Sequence, residues 1–156
     1  MFRNFFIACA LVALPTTALA ASTVATTFGP RVGFSSGPDQ FVVGCQAEIA
    51  EIAPSLSFNP SLEIGIGDHL TLVGINFDLH YAFDTRTTWR PYVGVGASLN
   101  SVNLDESRGS DTWAGGSLLG GAVAHTRSGN LFFGELKLGL GDTPDLKLMV
   151  GWNFKM

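Results

Sequence analysis

The regular alternation of apolar and polar side chains constrains this chain more than any other feature of its sequence. Over residues 73–83 the odd positions are all apolar, whereas the even positions include Asn76, Asp78 and His80. Side chains two residues apart share one face of a β-strand, so this period predicts a strand with one apolar and one polar face. The period recurs in eight segments separated by residues that favour turns. The predicted strands are residues 30–36, 40–52, 57–67, 70–84, 90–102, 112–124, 131–141 and 146–154.

Two of the predicted hairpins resemble each other in sequence. Residues 63–77 read "EIGIGDHLTLVGINF" and residues 137–154 read "KLGLGDTPDLKLMVGWNF". Each reads as strand, tight turn and strand, so the repeat indicates an architecture built of hairpins. The second copy has one additional residue, Met149, before its Val-Gly. A single additional residue reverses the facing of the side chains, so we expect a bulge or a frayed end near residues 70–72.

The N-terminal 20 residues have the features of a secretory signal peptide. Arg3 precedes an apolar run over residues 5–14, Pro15 interrupts it, and residues 18–20 form an Ala-Leu-Ala cleavage pattern. A membrane anchor is the alternative, but the run is about half the roughly 20 residues that a spanning helix needs. We therefore expect cleavage after Ala20, which leaves residues 21–156 as one domain.

Charge and cysteine content exclude several classes of protein. Removing residues 1–20 leaves eight Lys and Arg against thirteen Asp and Glu, a formal net charge of −5. This charge argues against a nucleic-acid partner. Cys45 is then the only thiol, so no intramolecular disulfide is possible, and we interpret it as a small apolar filler. No His, Cys or carboxylate cluster has metal-ligand spacing, so we expect neither a metal nor another cofactor.

The aromatic and charged residues indicate which face of the sheet is outside. Alternation alone fits a soluble sandwich or a lipocalin equally well. However, many aromatic residues lie at strand ends that an up-and-down meander would bring to one rim, as in an aromatic girdle at a membrane interface. The predicted girdle comprises Tyr81, Phe83, Trp89, Tyr92, Phe132, Phe133, Trp152 and Phe154. Ionisable residues fall on the opposite face, which would line the interior of a closed barrel: Arg31, Glu48, Glu63, Asp78, His80, Glu135, Lys137 and Lys147.

Residues 30–154 resemble the small outer-membrane β-barrels of the OmpA and OmpX type. The resemblance rests on "RPYVGVGASLN", on the Gly-rich strands and on the aromatic closing strand "LMVGWNF". It implies an all-β fold, an eight-stranded antiparallel up-and-down transmembrane β-barrel, and an outer-membrane location. It also implies outer-membrane lipids, lipopolysaccharide and the barrel assembly machinery as partners, and we expect a monomer. Such barrels commonly end on their terminal aromatic residue, whereas Lys155 and Met156 follow Phe154 here.

An eight-stranded barrel also limits the expected function. Its interior is just wide enough to be filled by side chains, so we expect the interior charges, including a His80–Asp78 pair, to form a packed network rather than an ion path. We predict a non-enzymatic structural or surface-interaction protein without catalytic residues. A lipid A-modifying enzyme is the first alternative and would use His125, Ser128 and Glu135. The His-x-Ser spacing of the known deacylases is absent, however, and "TRSGN" reads as a turn. A soluble periplasmic lipocalin-like binder is the second alternative.

The topology further predicts a difference in charge between the two rims. With the N-terminus in the periplasm, seven acids and one arginine fall in the external connections: Asp39, Asp68, Asp105, Glu106, Asp111, Asp142, Asp145 and Arg108. Arg86, Arg90, Arg127 and Lys155 fall at the periplasmic end. The acids form either a simple solvated rim or a surface that bridges, through divalent cations, to lipopolysaccharide phosphates or to an adhesion target. We expect Trp152 and Phe154 to close the barrel against Val32 and Phe34.

Overall fold

The chain forms one closed sheet of eight antiparallel β-strands, each paired with its neighbours in sequence and the last paired with the first. This computed structural model describes residues 26–68, 70–104 and 111–156. The strands are β1 Thr26–Ser36, β2 Gln40–Ala53, β3 Leu56–Gly67, β4 Leu70–Ala82, β5 Trp89–Leu104, β6 Asp111–His125, β7 Leu131–Leu140 and β8 Leu146–Lys155. The expected signal peptide and its cleavage site lie outside the described residues. None of the described residues belongs to a helix long and apolar enough to cross a membrane.

The predicted strands agree closely with those of the structure. All predicted ends lie within two residues of the observed ones except the start of β1, which begins four residues early, at Thr26. Both termini of the barrel and the three connections after β2, β4 and β6 lie at one end, here called the terminus end. The connections after β1, β3 and β7 lie at the other end, here called the loop end, where β5 also ends and β6 begins.

The barrel is polar inside and apolar outside. Its outward side chains are mainly large, apolar and exposed, with Phe34 at 64%, Leu148 at 55% and Val95 at 53%. Polar and charged side chains alternate with them and are buried inside: Thr27, Arg31, Ser35, Gln40, Gln46, Asn59, Ser61, Glu63, Asn76, Asp78, His80, Ser98, Asn100, Ser117, Glu135, Lys137, Lys147 and Asn153. This is the reverse of a water-soluble barrel, and it suits a hydrocarbon environment.

The predicted bulge near residues 70–72 is wrong. The pairing of β3 with β4 runs without a shift from Leu56–Tyr81 to Gly67–Leu70. The two hairpins instead differ in turn length, since two residues join β3 to β4 and five join β7 to β8. The longer turn accommodates the additional residue. Only the side chains of the Leu-x-Leu segment therefore face opposite sides of the sheet in the two hairpins.

The change of facing is visible in equivalent side chains of the two copies. Leu72 is buried inside, whereas the equivalent Leu148 is exposed outside. Asn76 and Asn153, further along, both point inward. A shift of register does occur elsewhere, between Ile49 and Ala53 of β2.

The barrel closes in a register different from the one expected. Val32 pairs with Val150 and Phe34 with Leu148, whereas Phe154 pairs with Phe28. The expectation that Trp152 and Phe154 lie against Val32 and Phe34 is therefore wrong. The reason is the early start of β1, which offers the last strand a pairing partner nearer the N-terminus. Cys45 lies half-buried on β2.

Candidate functional site: the barrel interior and its rims

Arg31 of β1 lies at the centre of a buried ion-pair network. Its Nε is 3.2 Å from Glu63 Oε1, and its Nη2 is 3.1 Å from Glu135 Oε1. Nη1 also donates a hydrogen bond of 2.8 Å to Gln46 Oε1. Gly44 of β2 pairs with Arg31 on one side and with Glu63 on the other, so it lies between these two residues in the sheet. A Cβ at Gly44 would meet the backbone oxygen of Leu62 and lie 3.1 Å from Glu63 Cγ, so the glycine allows β3 to approach closely at this position.

Two further ion pairs cross the barrel between strands that are not neighbours. Lys137 Nζ of β7 lies 2.6 Å from Asp78 Oδ2 of β4. Lys147 Nζ of β8 lies 2.7 Å from Glu63 Oε2 of β3. The side chains of all four residues are at most 6% exposed. Together with the pairs of Arg31, these contacts balance three interior cations with three carboxylates.

His80 does not pair with Asp78, contrary to expectation. Its Nε2 lies 3.4 Å from Glu135 Oε2, and its ring stacks on that of Tyr92, with centroids 4.5 Å apart and an interplanar angle of 11°. Asp78 is instead bound to Lys137.

Tyr92 was predicted in the aromatic girdle, and this prediction is wrong. Its side chain is buried inside the barrel at 4% exposure, and its hydroxyl donates a 2.9 Å hydrogen bond to Glu135 Oε2. Tyr92 lies one residue before the outward-facing Val93, so strand alternation forces it inward. A Cβ at Gly121 would lie 2.7 Å from Tyr92 Cζ, so this glycine leaves space for the ring.

Phe133 is also inside the barrel rather than in the girdle. It is 3% exposed, and the Arg31 guanidinium lies 5.8 Å from its ring centroid. Phe132 and Phe133 are consecutive on β7, so they cannot share a face. The alternation within β7 could have distinguished them. Glu135 and Lys137 show that the odd positions of β7 face inward, and Phe133 occupies an odd position.

The other predicted girdle residues lie on the outer surface near the terminus end. Tyr81, Phe83, Trp89, Trp152 and Phe154 are between 38% and 52% exposed, and Phe132 is half-buried. Ring centroids are 5.4 Å apart for Tyr81 and Phe83, 5.9 Å for Trp89 and Phe132, and 5.8 Å for Phe132 and Trp152.

Sequence reasoning missed part of the outer aromatic surface. Phe28 lies near the terminus end, beside Phe154. Phe34 and Phe41 lie near the loop end, with ring centroids 5.3 Å apart. Phe34 and Phe41 lie on either side of the first turn. This position could have predicted them, because outward side chains beside a turn at the loop end lie at the membrane interface opposite the terminus end.

Glu48 stands apart from the network. It is half-buried on β2 near the terminus end, where Arg90 and His125 line the same cavity. Arg90 Nη2 is bound to Asp84 Oδ1 at 2.8 Å. Within the part of the chain that the structure describes, the Glu48 carboxylate forms no hydrogen bond and no ion pair within 4 Å.

His125, Ser128 and Glu135 do not assemble into a catalytic group. Ser128 Oγ lies 2.9 Å from Thr126 Oγ1, within the turn that follows β6. Glu135 is buried in the interior, bound to Arg31 and Tyr92. His125 is exposed at the end of β6. A serine nucleophile needs a base in hydrogen-bonding reach and a third group that orients the base, and this arrangement is not formed here.

The acidic residues expected at the external rim lie at the loop end. Asp39, Asp68, Asp111, Asp142 and Asp145 are all exposed there. Asp105, Glu106 and Arg108 lie outside the described residues. Arg86, Arg90, Arg127 and Lys155 lie at the terminus end. Residues 26–68, 70–104 and 111–156 contain no group of three His, Cys, Asp or Glu placed to hold a metal ion.

Three solved structures show how far this fold is shared. The chain matches no protein-family model and no curated protein. Neisserial surface protein A is 17% identical with a TM-score of 0.66, and the match covers 86% of this chain and 98% of that one. The N-terminal β-barrel domain of Pseudomonas aeruginosa OprF is 18% identical with a TM-score of 0.65, covering 85% and 95%. Ail, the attachment invasion locus protein of Yersinia pestis, is 11% identical with a TM-score of 0.50, covering 85% and 97%. The chain therefore has the fold of the small eight-stranded outer-membrane β-barrels.

Proposed function

We propose that this chain is a non-enzymatic, monomeric protein of the outer membrane, exported by a cleaved signal peptide. In this proposal it has a structural or surface-interaction role, and its interior is closed by its own side chains. The observation that carries the proposal is the inverted distribution of polarity. Outward residues such as Val95 and Leu148 are more than half exposed, whereas Arg31, Glu63 and Asp78 are 1% exposed inside. A closed sheet also leaves no unpaired strand edge in hydrocarbon.

The interior contacts support a closed barrel rather than a conduit for solutes. The Lys137–Asp78 and Lys147–Glu63 pairs span the interior, and Arg31 joins Glu63 to Glu135. A solute would have to break buried ion pairs, and removing one partner from such a pair is strongly unfavourable. We therefore propose that these residues plug the barrel.

The two alternative functions are less well supported. A lipid A-modifying enzyme would need Glu135 to orient His125, but Glu135 is held in the interior by Arg31 and Tyr92. A lipocalin-like binder carries its apolar face inward around a ligand, whereas charged residues such as Glu63 and Lys137 line this interior.

The loop end is the part of the molecule best suited to a surface interaction. Its exposed acids Asp39, Asp68, Asp142 and Asp145 lie just above apolar residues such as Phe34. We propose outer-membrane lipids as partners, including lipopolysaccharide whose phosphates are bridged to these acids by divalent cations. The barrel assembly machinery would be a partner during biogenesis.

Fractionation of cells that express the full chain tests this proposal. We expect the protein in the outer-membrane fraction, migrating faster on a gel when the sample is not heated. Purified folded protein should give no stable ion conductance in a planar lipid bilayer. Recovery in the soluble periplasmic fraction would contradict the proposed location, and steady conductance would contradict the proposed plug.

A further inference from the structure

The barrel interior contains a recess that opens at the terminus end. Its mouth is a cavity of about 330 Å³ whose lining includes Glu48, Ser57, Arg90 and His125. A smaller cavity of about 20 Å³ lies deeper, lined among others by Asn59, His80 and Tyr92. Four residues line both cavities, so the two are parts of one recess: Glu48, Ser57, Ala82 and Val123.

Two buried polar atoms at the inner end of this recess lack a hydrogen-bond partner among the described residues. They are Asn59 Oδ1 and His80 Nε2, and the 3.4 Å contact of His80 Nε2 with Glu135 Oε2 is not a hydrogen bond. The two residues are 1% and 8% exposed. Asn59 uses its Nδ2 to donate to Ser57 Oγ at 3.0 Å, which leaves its oxygen free. Buried polar atoms are nearly always satisfied by protein or by water, and a cavity of about 10–15 Å³ is sufficient for one water. The inner cavity therefore has both the size and the chemistry for a bound water.

The recess ends at a floor of large side chains. Tyr92 and Phe133 line its inner part, and both are held in place by the charge network. The Tyr92 hydroxyl is bound to Glu135, and the Arg31 guanidinium lies over the Phe133 ring. Further along β3, Ser61 is buried and its Oγ accepts a 3.2 Å hydrogen bond from Asn76 Nδ2. Ser57 and Ser61 thus share the inner face of one strand, and only Ser57 lines the recess.

Three acidic residues line the recess: Glu48, Glu51 and Asp84. The Glu48 carboxylate lines both of its parts and, among the residues described, has no ion pair within 4 Å. Arg90 lines the mouth but is bound to Asp84. A carboxylate in a narrow cleft with low-dielectric walls raises the local concentration of cations and lowers that of anions.

We propose that this recess is a water-filled, cation-preferring vestibule that is open at the terminus end and closed at Tyr92 and Phe133. Its occupants are water, bound at Asn59 and His80, and small monovalent cations near Glu48. The barrel is then accessible to solvent from one end only, and a plug on the loop-end side of the vestibule prevents passage. This inference holds for the barrel whichever surface role it serves.

Thiol labelling of the folded protein tests the depth of the vestibule. The full chain with Cys9 and Cys45 both replaced by serine would carry either Ser57→Cys or Ser61→Cys, a matched pair on one strand face. Charged methanethiosulfonate reagents that do not cross membranes report access, because the thiol reacts only where the reagent reaches it. Only the fraction that shows heat-modifiable migration would be scored. We expect Ser57→Cys to react about tenfold faster or more than Ser61→Cys.

The charge of the reagent tests the role of Glu48. We expect the cationic reagent to react with Ser57→Cys several-fold faster than the anionic one, relative to free cysteine, and Glu48→Gln to remove most of this preference. Equal labelling of the two cysteines, no labelling of Ser57→Cys, or a preference that Glu48→Gln leaves intact would each overturn the proposal. If Ser57→Cys does not fold, Glu48→Cys replaces it as the test of access, with the same expectation against Ser61→Cys.

Discussion

Lys137 Nζ and Asp78 Oδ2 lie 2.6 Å apart, although the two residues are 59 positions apart in the chain and their strands, β7 and β4, are not neighbours. The contact therefore ties together distant parts of the barrel wall. Neither residue has a strand neighbour of opposite charge. Asp78 pairs with Asn59 and Gly96, and Lys137 pairs with Leu119 and Lys147. The ion pair is formed only when the sheet curves round and closes.

Substitutions of Lys137 and Asp78 should have coupled effects on the free energy of unfolding. Asp78→Asn leaves Lys137 buried without a counter-charge, and Lys137→Met does the same to Asp78, so each should lower the free energy of unfolding by about 3 kcal/mol. The double variant should lose at least about 1 kcal/mol less than the sum of the two. Urea unfolding in detergent micelles, followed by tryptophan fluorescence, measures all three. Asp84→Asn is the control, because its exposed pair with Arg90 should contribute about 0–1 kcal/mol. Strict additivity of the two interior substitutions would contradict the observed contact.

Leu79→Arg should destabilise the barrel by about 2–4 kcal/mol, because it places a charge on the lipid-facing surface. Leu79 is 36% exposed and neighbours the inward Asp78 on β4. Leu79→Met keeps the surface apolar and should cost less than about 1.5 kcal/mol. Equilibrium unfolding in lipid vesicles checks both values. Equal stability of the two variants would mean that this face does not contact hydrocarbon.

Gly121→Ala should destabilise the barrel through overpacking. The added methyl group would lie 2.7 Å from both Tyr92 Cζ and its hydroxyl oxygen, and would also meet the backbone oxygen of Gly134. Overpacking of this kind costs about 1–3 kcal/mol. Gly134→Ala is a matched control on the neighbouring strand, since no atom lies within 4 Å of the added methyl group. The prediction is wrong if thermal melting of the two variants, monitored by circular dichroism, gives the same loss of stability.

Replacement of His125 or Ser128 by alanine should leave the lipid A of expressing cells unchanged. Ser128 Oγ contacts Thr126 Oγ1 within an exposed turn, and Glu135 is committed to the interior. Mass spectrometry of lipid A from cells with the native chain, each variant and no chain provides the comparison. An acyl chain that is lost with the native protein and retained with either variant would overturn the non-enzymatic proposal.

The sequence contained enough information to predict the strands and most facings, because alternation is a local property. The polar even positions of β4 define its inward face without reference to any other strand. The aromatic residues were harder to place, because nearness to a strand end does not determine the face. Tyr92 and Phe133 are both near strand ends, yet each points inward. Inward side chains occupy the even positions of β5, which include Tyr92, and the odd positions of β7, which include Phe133.

Contacts across the interior depend on register and curvature, which are not local. Nothing in the sequence near His80 favours Glu135 of β7 over Asp78, which is two residues away. The bulge was predicted wrongly for a similar reason. Comparing the two hairpins showed one additional residue, Met149, but only the observed turn lengths show that the turn absorbs it.

The central claim is that the chain forms a closed barrel inserted in the outer membrane, and a truncation series tests it most directly. Phe154 pairs with Phe28, and Met156 N donates to Thr26 O at 3.3 Å, so the last residues close the sheet against the start of β1. Deleting residues 155–156 removes only the Thr27–Lys155 pair and the hydrogen bond from Met156 N to Thr26 O, at the end of the seam. Deleting residues 152–156 also removes Trp152 and Phe154 and leaves backbone groups unpaired in lipid. Heat-modifiable migration and protease protection in isolated outer membranes report the outcome. The full chain and the two-residue truncation should be folded and protected, and the five-residue truncation should be degraded. A folded, protected five-residue truncation would contradict closure of the barrel between β1 and β8.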